Sequence, residues 1–227
     1  MNFLLKRLFC LTVACLGFAP AFAEDFDHHV ADIFILQAKP VQRELGVTED
    51  QRARMNKAAD ADQQRKDAYA QELKKSKRKP DRARVLAMFR ELRAEVFQQL
   101  APSQMKRLRQ ISLQHFGPVA LADPIVGKRV GLSTKQIEKI QAYVQKDAKD
   151  LSTTERDLRK SVVKRYKGKP VTEENDRKLG HDLNETIGPR VQNMEQKDRD
   201  QIFSVLTQAQ RMTWNSLLGK PFEPKGN

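Results

Sequence analysis

Apolar side chains return every three or four residues along most of this chain, the spacing of one helical face. Ile137, Ile140, Val144, Ala148, Leu151, Leu158 and Val162 make one such stripe, and Leu179, Leu183, Ile187, Val191 and Met194 make another. Val85, Phe89, Leu92, Val96 and Leu100 form a third; a fainter one, Met55, Ala58, Ala59, Tyr69 and Leu73, is interrupted by Asp62 and Lys66. Shorter stripes follow at Met105, Leu108, Ile111 and Phe116, and at Met212 or Trp214, Leu217 and Phe222. The pattern predicts an all-α, elongated protein: two tandem helical hairpins, each followed by a short closing helix over about 102–116 and 208–218. Gly188-Pro189 falls inside the last long arm. A proline there loses a backbone hydrogen bond and clashes one turn back, so a kink or break is expected. Narrow apolar stripes on long polar arms bury little area per residue, which predicts a homodimer.

One short phrase marks where these helices begin. It reads LGVTEDQ at Leu45–Gln51, VGLSTKQ at Val130–Gln136, LAPSQ at Leu100–Gln104 and LTQAQ at Leu206–Gln210. Thr48 with Gln51, Ser133 with Gln136 and Thr207 with Gln210 have capping-box spacing: the hydroxyl accepts from the third helical amide while the glutamine reaches back to the cap. Ala101 cannot cap, but Pro102 beside it suits the first helical position, and Gln104 keeps the glutamine. The phrases sit in a longer duplication. Val41, Leu45, Gly46, Thr48 and Gln51 return as Val126, Val130, Gly131, Ser133 and Gln136, while Leu100, Gln104 and Phe116 return as Leu206, Gln210 and Phe222. Such repeats predict a first unit over 24–118, a second over 119–222 and a flexible tail over 223–227.

The first 23 residues read as a leader rather than as part of this fold. Lys6 and Arg7 precede the apolar run Leu8–Phe18, and Ala21-Phe22-Ala23 offers a signal-peptidase site. The run is shorter than the roughly 20 residues of a membrane span. Export to the periplasm with cleavage after Ala23 is the expectation; a lipid-anchored form cut before Cys15 would place Thr12 where leucine is usual. Cys10 and Cys15 both lie in this segment, so the mature chain offers no disulfide, thiol nucleophile or cysteine metal site. The formal net charge of +13 falls by the two charges of Lys6 and Arg7 to +11. That excess favours polyanions, anionic membrane surfaces or acidic partners.

The positive charge collects at the two hairpin turns. Lys74, Lys75, Lys77, Arg78, Lys79, Arg82 and Arg84 surround a lone Asp81; Arg159, Lys160, Lys164, Arg165, Lys167 and Lys169 have no acid among them. Cations suit the C-terminal end of an outgoing helix, so solvated tips explain them in part. They also suit electrostatic capture of acidic client segments, anionic lipid or polysaccharide. Nucleic acid is disfavoured: no recognition motif is present and no aromatic residues are interleaved with the cations. His28 and His29, near Asp25 and Asp27, are the candidate metal ligands, although neighbouring histidines rarely share one helical face. No Ser-centred elbow, phosphate-cradling glycine loop or activated nucleophile appears, so neither an enzyme nor a cofactor is expected.

The Leu-Thr-x-x-Gln phrase resembles that of the LTxxQ-motif (Spy/CpxP-like) exported proteins. Three longer stretches are similar to secreted proteins of planctomycetes: Val41-x-x-x-Leu45-Gly46, Leu100-x-Pro102-x-Gln104-x-x-Arg107-Leu108-x-Gln110-Ile111-x-Leu113-Gln114, and Leu206-Thr207-x-x-Gln210 through Gly219-Lys220-Pro221-Phe222. The resemblance implies a thin antiparallel helical dimer whose basic concave face holds unfolded chains without ATP. This chain is longer and duplicated, so one copy can imitate such a dimer. Together these readings lead to an exported, chaperone-like binder of unfolded or envelope clients. The alternatives are a stress- or metal-sensing partner of a membrane sensor and a structural envelope component.

Overall fold

The computed structural model describes residues 26–167 and 172–224, and every regular element among them is helical. The leader expected over 1–23, the acid Asp25, the tip residue Lys169 and most of the tail expected over 223–227 lie outside the described residues. The fold class is all-α. The described residues divide into two units: 26–115 together with 217–224, and Phe116–Ser216.

In the first unit, α1 (Phe26–Val30) leads through a 3-10 turn at Ile35–Gln37 into α2 (Lys39–Leu45). Gly46 ends α2 at φ 63, a left-handed turn that glycine adopts without a Cβ clash. The long arm α3 (Glu49–Ser76) then turns back as α4 (Arg82–Phe97), and α5 (Pro102–Phe116) closes the unit. Arg54 reaches Gln99, Arg65 reaches Glu95 and Arg84 reaches Glu72, so α3 and α4 run antiparallel. Their apolar faces meet α1, α2 and α5 at the base of the hairpin. Val41, Leu45, Met55, Val96, Phe97, Leu100, Met105, Leu108 and Ile111 form the core there, with Phe89, Leu92 and Phe222 packed on it. Each large side chain so buried stabilises the fold by about 1.5–3 kcal/mol relative to exposure.

The second unit opens with a 3-10 turn at Gly117–Ala122 and α6 (Pro124–Val130), which ends at left-handed Gly131. Asp123 caps α6 by accepting from the amides of Ile125 and Val126. The arms α7 (Thr134–Tyr166) and α8 (Glu173–Val205) pack along each other, and α9 (Gln208–Leu218) follows. Leu121, Val126, Val130, Ile137, Ile140, Ile202, Leu206 and Trp214 are buried in this unit. Farther out on the arms, Leu151, Ile187 and Val191 form a separate cluster with Leu158, Leu183 and Met194.

The structure corrects several readings of the stripes. The expected break at Pro189 does not occur: α8 continues through it. Pro189 and Glu185, whose carbonyl would have taken the missing amide bond, both face solvent, so water can satisfy that carbonyl. Val85 is 44% exposed instead of inside, because α4 has only just started there. Of the pair Met212 and Trp214, the tryptophan is buried and the methionine is 67% exposed. Phe222, read as part of the second copy, packs on the core of the first unit.

Candidate functional site

The recurring phrase resolves into two clasps. Thr48 and Gln51 form a full capping box on α3, and Ser133 and Gln136 form one on α7. Thr207 and Gln210 exchange the same two bonds at the start of α9. At α5 the alanine provides no hydroxyl, yet Gln104 Oε1 still accepts from the Ala101 amide. The glutamines then pair. Gln51 and Gln104 exchange amide bonds at 2.8 and 3.1 Å, and Gln136 and Gln210 do so at 2.9 and 3.1 Å. The remaining amide hydrogens go to main-chain carbonyls: Gln51 to Gln99, Gln104 to Leu45 and Gly46, Gln136 to Val205, and Gln210 to Gly131. Each clasp joins the start of an outgoing arm to the start of a closing helix and to the end of the helix before it. A half-buried polar network so completely satisfied fixes geometry and leaves no glutamine amide donor for a ligand. These motif residues hold the scaffold.

A second repeated feature escaped the sequence reading. Asp62 on α3 and Asp147 on α7 are only 2% and 4% exposed, although both are carboxylates on the inner side of an arm. They lie 85 residues apart, the spacing of the duplicated phrases, and each is fourteen positions past its cap, Thr48 or Ser133. Lys66 lies 2.6 Å from Asp62, with Arg65 at 4.0 Å; Lys197 lies 3.9 Å from Asp147. One oxygen of each, Asp62 Oδ1 and Asp147 Oδ2, receives no hydrogen bond from the protein. The interruption of the first stripe was visible in sequence as Asp62 and Lys66. Its meaning lay in the shared depth of the two aspartates, which comparison of the two copies would have exposed.

The tips are built differently from one another. In the first, Lys77 ends α3 in the left-handed region at φ 53, and Asp81 starts α4 by accepting from the Ala83 amide. The Tyr69 hydroxyl accepts from the Asp81 amide at 2.7 Å, tying the turn to the arm. Arg84 lies over the Tyr69 ring and pairs with Glu72 at 2.8 Å, so it braces the turn. Lys74, Lys75, Lys77, Arg78, Lys79 and Arg82 are exposed. In the second tip Lys167 is extended, and Arg165 lies 3.5 Å from Asp182. Tyr166 donates to Asp182 at 3.0 Å; partial burial, and then this bond, push its phenol above the ordinary range. Arg159, Lys160, Lys164 and Lys167 are exposed, beside Val163 at 45%. The first turn is thus a cationic bend tied to its arm by Tyr69, while at the second hairpin the described cations flank a tyrosine that joins the two arms.

The N-terminal histidines do structural work. The carbonyls of His28 and His29 accept from Arg93, which closes the end of α1, and the His28 ring packs 5.9 Å from Phe97. Among the described residues, no three or more His, Cys, Asp or Glu side chains gather as a metal would require. No helix among them is long and apolar enough to cross a membrane. Near α1, burial pushes the Asp32 carboxyl up against the opposing effects of the Phe34 amide and Arg93.

The polar residues of the Leu100–Gln114 stretch also find their place. Arg107 pairs with Glu44 at 2.6 Å and donates to the carbonyl of Lys220, while Gln114 binds the main chain of Leu218, Lys220 and Phe222. No protein-family model matches the chain, and no curated protein or solved structure matches it significantly.

Proposed function

We propose that this is an exported, non-enzymatic binding protein of the LTxxQ type, which holds unfolded or envelope-associated clients without ATP through its basic hairpin tips. The observation that carries the reading is the exposed cations at the described ends of both pairs of long arms, with a tyrosine hydroxyl bonded beside each group. Encounter with an acidic client segment is then steered electrostatically. Contact continues on the apolar side chains exposed beside the cations, Val85 and Val163. Long-range steering of this kind is screened beyond about 10 Å at 0.1 M salt, so capture weakens as ionic strength rises.

The test is dilution of a chemically denatured acidic client into low-salt buffer, followed by light scattering. The protein should slow aggregation, and raising the salt should remove the effect. A full chain with Lys74, Lys75, Lys77, Arg78 and Lys79 all replaced by glutamine should protect far less. Unchanged aggregation at low salt in the presence of the wild-type chain would end this reading.

A further inference from the structure

Residues 217–222 are held on α5 as a bound peptide would be. Arg109 donates to the Leu217 carbonyl at 2.5 Å, and Arg107 donates to that of Lys220 at 2.8 Å. Gln114 acts like the edge of a strand: Nε2 donates to the carbonyls of Leu218 and Lys220, and Oε1 accepts from the Phe222 amide, all at 2.7 Å. These contacts read main chain. The side chains of Lys220 and Pro221 face solvent, so almost any residue fits there.

Two positions are selective. Gly219 sits at φ 65, and a Cβ on it would lie 2.3 Å from the Gln110 amide, whose oxygen accepts from Arg107. A side chain there would be strained and would also push Gln110 off its partner. Phe222 packs on the hydrophobic cluster to which Leu108 and Ile111 of α5 belong. The segment has no regular structure beyond Leu218, and Gly219 to Pro221 are exposed, so local release costs far less than unfolding the unit.

We infer that the Arg107–Gln114 face of α5 is a binding groove for extended peptide segments of the pattern Gly-x-x-aromatic, occupied in this structure by the chain's own residues 217–222. A client segment of that class binds there by displacing the tail. Backbone hydrogen bonds supply affinity, while the glycine and the aromatic ring supply selectivity, as in other modes that read an extended main chain. The groove is independent of the basic tips and does not rest on their proposed role. In the intact chain the tethered tail competes at an effective concentration on the order of millimolar, so free segments bind weakly until it is disabled.

The experiment uses a fluorescent peptide with the sequence of residues 217–224 and measures anisotropy on full-length protein. The double variant Gly219→Val/Phe222→Ala, which disables the resident tail, should bind the peptide at least tenfold more tightly than wild type does. Adding Gln114→Ala to that background should abolish binding, and peptides with alanine at the glycine or phenylalanine position should lose tenfold or more. Binding should persist in high salt, unlike capture by the tips. If the double variant loses helical circular dichroism, Phe222→Ala alone replaces it. Failure of a folded variant to bind the peptide, binding that survives Gln114→Ala, or binding abolished by salt would each overturn the groove.

Discussion

Gln51 and Gln104 show how one side chain can serve three helices. Each caps its own helix, pairs with the other and satisfies a carbonyl of a third segment. Replacing either with alanine strands half-buried partners, which costs about 1–3 kcal/mol. Both singles should lower urea stability by that amount, and the double variant should lose clearly less than their sum, because they act as one unit. Thr48→Ala removes only a cap hydroxyl and should cost about 1 kcal/mol. Asp32 offers a test of opposite sign. Its folded pKa lies above its unfolded value, so its contribution to stability is complete below the unfolded pKa and is lost as pH rises through the folded one. Asp32→Asn keeps an oxygen for the Phe34 amide and cannot ionise. The variant should be at least as stable as wild type at neutral pH, and the stability difference between acidic and neutral urea titrations should shrink.

At the scale of helices, the boundaries were legible because their signals are local. Thr48, Ser133 and Thr207 stand where the helices start, and the stripe on α7 placed Ile137, Ile140 and Val162 inside. What failed to show was long-range. Nothing local to Gln51 says that its second amide bond goes to Gln104, and nothing local to Phe222 says which core it joins. Likewise a carboxylate in an apolar stripe reads as exposed unless its copy in the second repeat is read beside it. At Pro189 the helix does not break, because solvent can resolve the lost bond. Pro189→Ala should therefore restore a bond within a helix that is already continuous, stabilising the second unit by up to about 3 kcal/mol by thermal or urea unfolding. Around the histidines and the tip cations, the neighbours Arg93, Tyr69 and Tyr166 came only with three-dimensional packing.

For the whole molecule, the positive excess and the cores are separable. Lys74, Lys75, Lys77, Arg78 and Lys79 are exposed, so the five-site glutamine variant should keep its denaturation midpoint, with each site within about 0.5 kcal/mol, while its protection of clients falls. That contrast distinguishes a charge used for capture from one used for folding. The buried aspartates carry a mechanical implication. Because Asp62 interrupts the apolar seam of the first hairpin, that hairpin has a set place where zipping loses its grip, whereas past Asp147 the cluster of Leu151, Ile187 and Val191 holds the second. Amides near Met55 should exchange only when the whole unit opens, whereas those past Asp62 should exchange sooner. The first hairpin would thus fray to that mark and halt there, leaving a rooted stump that can regrow its outer half without refolding from nothing.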